Sequence, residues 1–246
     1  MHPEIPSIEI IGVPLACLAP EGALAEVVRL YEQDAPARVA YVNAHGLNLA
    51  YKDHSFRDLL RNSDLVLNDG KGVLVAARLL KRRFPEDLNG NFFSPQVLHL
   101  AAHKGLPVFF LGAAPGVAAR AAEILRERIA GLNIVGTRDG YFKPEEEDEV
   151  IQSIRDSGAG ILFVAMGNPA QERWIERCLD KTGARVGFGV GAFFDFQTGT
   201  VARAPTWMNR VGLEWVHRLL KEPSRMWRRY LIGNPCFIAR VLRSRG

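Results

Sequence analysis

The chain has 246 residues, of which 48% are hydrophobic and 24% are charged, and its formal net charge at pH 7 is +4. This composition supports a buried core and excludes a disordered protein. The apolar runs, such as ILFVAMG at 161–167, are of strand length and far short of the roughly 20 residues that cross a bilayer, so no transmembrane helix is predicted.

The segment at the start of the chain, MHPEIPSIEI, lacks the basic region and the apolar region of an export signal. The cysteines, Cys17, Cys178 and Cys236, are scattered without C-x-x-C spacing, which is typical of packing residues in a reducing compartment. We therefore expect a cytosolic protein. No H-x-x-x-H, H-E-x-x-H or D-x-D motif occurs, so neither a zinc hydrolase nor an enzyme that binds a metal through paired acids is indicated.

Short runs rich in Val, Ile and Phe recur along the chain and predict strands that are buried on both faces. They lie at 38–43, 64–69, 107–112, 133–136, 161–167 and 185–191. Between them, apolar residues at helical spacing predict helices at 116–131 and 143–158. Alternating strands and helices indicate an α/β fold, with a layered, mostly parallel, Rossmann-like sheet flanked by helices. We assign this body to residues 1–200.

The strand pattern ends after Thr200, and residues 201–246, called here the basic segment, predict helices broken at Pro223 and Gly233. The basic segment carries ten Lys or Arg and two Glu, a net charge of +8, whereas residues 1–200 carry −4. Its arginines are interleaved with wide apolar side chains such as Trp227 and Leu231, which a merely solubilising tail does not need. This pattern favours attraction to an anionic surface or ligand: phospholipid, nucleic acid or a phosphorylated substrate.

Ligands of a parallel sheet bind beyond the carboxyl ends of its strands, so the turns that follow the predicted strands hold the candidate site residues. Four of these turns are rich in glycine and polar residues, and they supply Asn43, His45, Asn68, Asp69, Gly112, Asn168, Gln171 and Glu172.

Five of these candidates have a structural interpretation as well as a functional one. Asp69 at a strand end could accept a proton from a substrate hydroxyl, or it could simply form an Asp-Gly turn. Gly112 opens LGAAPG, which could bring a helix N-terminus to a diphosphate, although such turns also occur merely because a strand must turn into a helix. Gln171 and Glu172 could bind a sugar or a base, or could cap a helix. His45 could likewise be only a helix-start residue.

Taken alone, these residues indicate an α/β enzyme that binds a phosphorylated ligand, with arginines nearby. One rival is a nucleotide- or nucleic-acid-binding module whose basic tail docks on RNA or DNA, which predicts polynucleotide binding with a steep salt dependence. A second rival is a nicotinamide-dependent oxidoreductase, against which the missing G-x-G-x-x-G argues.

Four stretches of the chain are informative together: NDGKGVLVAARLL, LGAAPGVAARAAEILRERIAGLNIVGTRDGYF, ILFVAMGNPAQERWI and FDFQTGTVARAPTWMNRVGLEWVHRLLKEPSRMWRRYLIGNP. In order and spacing, they resemble the WecG/TagA/CpsF family of bacterial glycosyltransferases. The resemblance extends from about Ile8 to Pro235. It implies an inverting transfer, without a bound metal or other cofactor, of a sugar from a UDP-sugar to a polyprenyl-diphosphate-linked acceptor in the assembly of a cell-surface polysaccharide. The donor it implies is of the UDP-N-acetylmannosamine type, or a glucose or uronic acid variant. The reaction would take place at the cytoplasmic face of the membrane, to which the enzyme would bind peripherally. No nucleic-acid partner is expected, and the enzyme could form an oligomer.

The resemblance also assigns roles to individual residues. It implies that Asp69 is the general base and that Gln171 is an active-site contact, while Arg218, Arg225 and Arg228 reach over the pocket to the diphosphate. Without a metal, the planar guanidinium groups would stabilise the charge of the leaving UDP.

The chain departs from the family's pattern at three positions. Tyr41 stands where threonine is common, Phe92 where an acid is frequent, and Phe193 where GGxFD has a small residue before Asp195. We expect these departures to affect the choice of sugar.

Overall fold

The computed structural model describes residues 5–201, 208, 214–221 and 223–244, apart from the side chains of residues 214, 217, 218 and 225. The strands of this part of the chain are β1 (Ser7–Ile10), β2 (Val13–Ala16), β3 (Ala37–Val42), β4 (Leu65–Asn68), β5 (Val108–Gly112), β6 (Ile134–Arg138), β7 (Ile161–Ala165) and β8 (Val186–Gly189).

The α-helices fall between the strands and after the last of them. They are α1 (Pro20–Glu32), α2 (Ala44–Lys52), α3 (His54–Arg61), α4 (Lys71–Leu79), α5 (Gly90–Lys104), α6 (Val117–Arg128), α7 (Glu147–Asp156), α8 (Ala170–Thr182), α9 (Phe193–Thr198), α10 (Glu214–Lys221), α11 (Pro223–Trp227) and α12 (Gly233–Arg243). A 3₁₀ turn (Pro144–Glu146) precedes α7, and a π-helical turn (Arg228–Ile232) separates α11 from α12.

Six strands form one sheet in the order β4-β3-β8-β7-β5-β6, and every neighbouring pair is parallel. The predicted α/β fold with a parallel sheet is therefore confirmed, and each of the six predicted strands overlaps an observed one. The chain passes from β4 at one edge to β5 on the far side of the sheet, and β8 later enters between β3 and β7.

The strands are buried because helices cover both faces of the sheet. Alternate residues of each strand point to opposite faces, as Val39 and Tyr41 do on one face and Ala40 and Val42 on the other. The first face packs against α1, α5, α6 and α9. The second face packs against α2, α3, α4 and α12 at the β3–β4 side and against α7 and α8 at the β5–β7 side.

A separate hairpin, β1–β2, was not predicted from the sequence. Its two strands are antiparallel and add Ile8, Ile10, Val13 and Leu15 to the second face. The turn consists of Ile11 (φ 50°) and Gly12 (φ 76°). Gly12 is typical of such a turn, but a β-branched residue rarely adopts positive φ, so Ile11 stands where Asn, Asp or Gly is usual.

The helical breaks predicted in the basic segment coincide with helix starts, because Pro223 is the first residue of α11 and Gly233 the first residue of α12. Phe237 and Val241 of α12 are fully buried in the same core as the second face of the sheet. The end of the described basic segment is thus packed into the body, and the division at residue 200 stays a prediction. No helix in the described part of the chain is long and apolar enough to span a membrane.

Candidate active site

Asn43 and Asp69 meet where the neighbouring strands β3 and β4 end. Asn43 caps α2, because its Oδ1 accepts hydrogen bonds from the backbone N–H groups of His45 and Gly46, both at 3.1 Å. Its Nδ2 therefore points the other way and donates to Asp69 Oδ2 at 3.0 Å. The Asp69 N–H donates to the Val42 carbonyl at 3.0 Å, which fixes the backbone of the same turn. The two predicted residues thus form one hydrogen-bonded unit.

Asn68 lies beside this unit but is directed at the protein backbone. Its Nδ2 donates to the Glu86 carbonyl at 2.8 Å and its Oδ1 accepts from Leu88 N–H at 2.9 Å, with the side chain 1% exposed. Next to it, the N–H of Gly70 donates to Asp87 Oδ1 at 2.8 Å. These contacts hold the loop before α5 against the Asp69 turn.

His45 lies in the first turn of α2, two residues after Asn43. Burial, followed by the nearby charges of Arg229 and Lys52, lowers the pKa of the imidazole to about 4. His45 is therefore neutral at pH 7, and it can accept or donate a hydrogen bond but carries no charge. Its electrostatic neighbour Arg229 belongs to the π-helical turn of the basic segment, so this segment approaches the start of α2.

Gln171 joins the ends of β7 and β8. Its Oε1 accepts from the N–H groups of Gly167 at 3.0 Å and Gly191 at 2.9 Å, and its Nε2 donates to Glu172 Oε1 at 2.7 Å. The side chain is 1% exposed. Because Gln171 bridges two loops that follow neighbouring strands, it fixes the backbone conformation of these two loops.

Glu172 is buried beside Gln171, and its Oε1 also accepts from Asn168 Nδ2 at 2.5 Å. Among the described residues its Oε2 has no hydrogen-bond partner. Burial raises the pKa of Glu172 to about 7, while the hydrogen bonds from Gln171 and Asn168 oppose this rise. A substantial fraction of this side chain is therefore a neutral carboxylic acid near pH 7.

Gly112 is the last residue of β5, at the same end of the sheet. It adopts φ +123°, and a Cβ at this position would collide with the Ala165 carbonyl oxygen at the end of β7. Glycine is required here because two backbones come this close. The following Ala113 N–H donates to the same Ala165 oxygen at 2.8 Å, and Gly116 then leads into α6.

The structure thus brings the predicted residues of the body to the end of the sheet where its strands terminate, but it places them in distinct groups along that end. Asn43, Asp69, Asn68 and His45 lie at β3 and β4, whereas Asn168, Gln171 and Glu172 lie at β7 and Gly112 at β5. Gly191 follows β8, which lies between β3 and β7, and its N–H contacts the β7 group through Gln171.

The arginines of the basic segment are described only in part. Arg228 is exposed, and its guanidinium lies 5.2 Å from the ring centroid of Trp227. The side chains of Arg218 and Arg225 lie outside the described part of the chain, so their predicted roles have no structural account here.

The three residues that depart from the family's pattern differ in how deeply they are buried. Tyr41 is buried, its hydroxyl accepts from Ser94 Oγ at 3.2 Å, and burial holds its pKa well above the usual range. Phe193 is 1% exposed and packs against Phe163 with ring centroids 6.2 Å apart. Phe92 is 45% exposed at the start of α5. Tyr41 and Phe193 are core residues at the margin of the site.

Sequence reasoning missed several residues that shape the site. Asp87 and the backbone of Glu86 and Leu88 act across 17 to 20 positions in the chain, so no local spacing connects them with Asn68 or Gly70. The sequence prediction included Arg228 but not the adjacent Arg229, although the pair of neighbouring arginines was itself a signal for an anion-binding residue at either position.

Comparison with known families decides the class of the protein. The model of the Glycosyl transferase WecG/TagA/CpsF family matches residues 8–246, nearly the whole chain. The chain belongs to this family. The protein is therefore a glycosyltransferase, and the family indicates a role in the biosynthesis of cell-surface polysaccharides.

Within the residues that the structure describes, no three His, Cys, Asp or Glu side chains group together in a way that could hold a metal ion.

Proposed function

We propose that this glycosyltransferase moves a sugar from a UDP-sugar to a polyprenyl-diphosphate-linked acceptor, with inversion, and that Asp69 is the general base. The observation that carries the proposal is the hydrogen bond between Asn43 Nδ2 and Asp69 Oδ2 at the carboxyl edge of the sheet. It orients a carboxylate at the place where parallel α/β sheets bind their ligands.

The reaction in this proposal is a single displacement. The acceptor hydroxyl oxygen attacks the anomeric carbon of the donor while its proton passes to the Asp69 carboxylate. The bond between the anomeric carbon and the diphosphate oxygen breaks, and UDP leaves with the bonding electrons. Attack on the face opposite UDP inverts the anomeric centre.

The remaining residues of the edge would support this reaction. Asn43 orients Asp69, and Asn68 and Gln171 set the backbone of three loops through hydrogen bonds to main-chain groups. We propose that His45, Asn168 and Glu172 line the substrate site, and that the turn opened by Gly112 offers main-chain N–H groups to the nucleotide phosphates.

Arg218, Arg225 and Arg228 would stabilise the diphosphate of the leaving UDP in place of a metal ion. The basic segment supports this assignment through its charge of +8 and through Arg229, whose charge acts on His45. EDTA should then leave turnover intact. Loss of turnover in EDTA, restored by Mg²⁺ or Mn²⁺, would contradict the assignment.

We also propose that the basic segment contacts the membrane that holds the acceptor. Leu231 is 55% exposed, Ile232 51% and Trp227 41%. Leu231 also lines an open groove of about 610 Å³, together with Trp215, Tyr230, Pro235, Ile238 and Leu242. Exposed apolar side chains among arginines are suited to the surface of an anionic bilayer.

Substitution of polar residues for Trp227, Leu231 and Ile232 tests the membrane contact. These variants should bind anionic liposomes more weakly while keeping activity on a water-soluble acceptor. Tyr141→Ser is the matched control, because Tyr141 is 76% exposed on the body and should leave liposome binding unchanged. If Tyr141→Ser weakens liposome binding as much as the substitutions at Trp227, Leu231 and Ile232 do, the proposed membrane contact is refuted.

The central experiment measures UDP release from a panel of UDP-sugars in the presence of lipid-linked acceptors. Asp69→Asn should lower turnover by roughly 10²- to 10⁴-fold with UDP binding retained. Asp64→Asn is the control, because Asp64 precedes the same strand at its opposite end and accepts the Arg38 N–H at 2.8 Å. Near-normal turnover of a folded Asp69→Asn enzyme would remove Asp69 from the mechanism, and absence of UDP release by the wild type with every donor would refute the UDP-sugar proposal.

A further inference from the structure

The start of α12 is fastened to the middle of α2 by one buried side chain. Asn48 Nδ2 donates to the Gly233 carbonyl at 2.8 Å, and Asn48 Oδ1 accepts from Arg240 Nη1. Asn48 is only 8% exposed. Both ends of the amide are thus used to join helices that lie 185 to 192 positions apart in the sequence.

Two further contacts hold the same junction, called here the Asn48–Arg240 clasp. The Arg240 guanidinium lies 4.2 Å from the ring centroid of Tyr51, which is one turn after Asn48 on α2. Phe237 and Val241 fill the core beneath it. The position of Gly233 relative to α2 is therefore fixed by hydrogen bonds, a cation–π contact and apolar packing together.

The clasp determines where the π-helical turn lies, because this turn ends immediately before Gly233. Arg229 is four residues before Gly233, and His45 is three residues before Asn48 on the same face of α2. Arg229 is half-buried, and its charge is one of those that act on the His45 imidazole. The Arg229 guanidinium lies 5.7 Å from the centroid of the Tyr230 ring. Arg228 also lies over an aromatic ring, that of Trp227, but it is exposed.

We propose that Arg229 is a further cation of the active site, which binds a substrate diphosphate beside His45 and is held there by the Asn48–Arg240 clasp. This inference rests on the proposed function. His45 follows Asn43 by two residues, and Asn43 contacts Asp69, so a group bound beside His45 lies next to the proposed base. A half-buried guanidinium binds phosphate more strongly than an exposed one, because less water screens the pair.

A diphosphate reaches this site from either substrate, since the donor and the lipid-linked acceptor both contain one. Binding of UDP and of geranyl diphosphate, a short water-soluble prenyl diphosphate, distinguishes the two sources. Arg229→Gln should weaken the binding of at least one of them by roughly 10- to 100-fold, the usual effect of losing a charge-assisted hydrogen bond. The ligand that is affected identifies the source.

Arg243→Gln is the matched control, because Arg243 is an exposed arginine at the end of α12 and the substitution removes the same charge. It should change neither affinity by more than about twofold, the size of a screened long-range effect. Equal affinities of Arg229→Gln and Arg243→Gln for both ligands would overturn the inference while leaving the proposed function intact. A wild type that binds neither ligand would overturn both.

A second measurement follows the placement of Arg229 without any substrate. The His45 imidazole is titrated by NMR, with its signal assigned from its loss in His45→Gln. Arg229→Gln should raise the pKa of His45, because a nearby positive charge that disfavours the imidazolium is removed. Arg240→Gln should shift it in the same direction by loosening the clasp. An unchanged His45 titration in Arg229→Gln would show that Arg229 is not beside His45.

Discussion

The Asn43 amide nitrogen lies 3.0 Å from the Asp69 carboxylate, while the oxygen of the same amide caps α2. One side chain thus couples the start of a helix to the orientation of the proposed base. The coupling allows the two tasks of Asn43 to be separated by substitution, because some side chains retain the cap and lose the amide donor.

Asn43→Asp should keep the fold and impair catalysis. Aspartate caps helices as well as asparagine does, but it would place a second carboxylate against Asp69. Two adjacent carboxylates resist simultaneous ionisation, so the acid limb of the pH–rate profile should move to higher pH and turnover at pH 7 should fall by roughly tenfold or more.

Asn43→Ser is the comparison for this variant, since serine keeps a capping oxygen and adds no charge. It should lower turnover and move the acid limb by much less, because it removes a hydrogen bond to the Asp69 carboxylate but places no second charge beside it. An acid limb that stays in place in Asn43→Asp would contradict the pairing of residues 43 and 69.

Gln171→Ala should destabilise the protein and disturb the site together. It removes three hydrogen bonds and leaves the Gly167 and Gly191 N–H groups without the oxygen that they share. We expect a loss of about 2 to 4 kcal/mol in the free energy of unfolding, measured in urea. Gln152→Ala, which removes one exposed hydrogen bond to Asp156, should change that free energy by less than about 0.5 kcal/mol.

Glu172 should make the stability of the protein depend on pH. Its pKa rises from 4.5 in the unfolded chain to about 7 in the folded protein, so the folded state holds this proton more tightly. The stabilisation is complete below pH 4.5 and is lost as the pH rises through about 7, by an amount on the order of 3 kcal/mol.

Glu172→Gln removes this dependence while retaining an oxygen for Asn168 and Gln171 to bind. The free energy of unfolding of Glu172→Gln minus that of the wild type should therefore increase between pH 4.5 and about 7 and level off above. A difference that is constant across this range would show that residue 172 titrates alike in the folded and unfolded states.

Removal of the Phe237 ring should show whether α12 is part of the core. The ring is 1% exposed, and its helix packs against α2 and α4, so Phe237→Ala should lower the free energy of unfolding by about 3 to 5 kcal/mol. Leu242 lies on the same helix but is 45% exposed, and Leu242→Ala should cost less than about 1 kcal/mol. Similar losses in the two variants would contradict the packing of α12 described above.

The sheet could be predicted from the sequence because its strands are buried on both faces. Residues 108–112 and 161–165 are uniformly apolar or glycine, and this signal is local. The β1–β2 hairpin could not be predicted, since its turn places Ile11 in a conformation that isoleucine rarely adopts.

The edge that carries the candidate site could also be predicted, because polar residues directly follow several strands. The direction in which each polar side chain forms its hydrogen bonds could not be predicted from the sequence. Nothing in the sequence around Asn68 distinguishes an amide that faces a ligand from one that binds the backbone of residues 86 and 88. Likewise, the contact between Asn48 and Arg240 spans 192 positions and leaves no periodic trace in either helix.

The position of β8 has a consequence for the order in which the molecule is made. β8 separates β3–β4 from β7–β5–β6, yet it is the last strand of this sheet to leave the ribosome. Until residues 186–189 emerge, β3 and β7 each present a bare edge of unpaired N–H and C=O groups, a known hazard for association between nascent chains. Insertion of β8 closes both edges at once and brings Gly191 to Gln171, so the two halves of the candidate site are joined in the same step that completes the sheet.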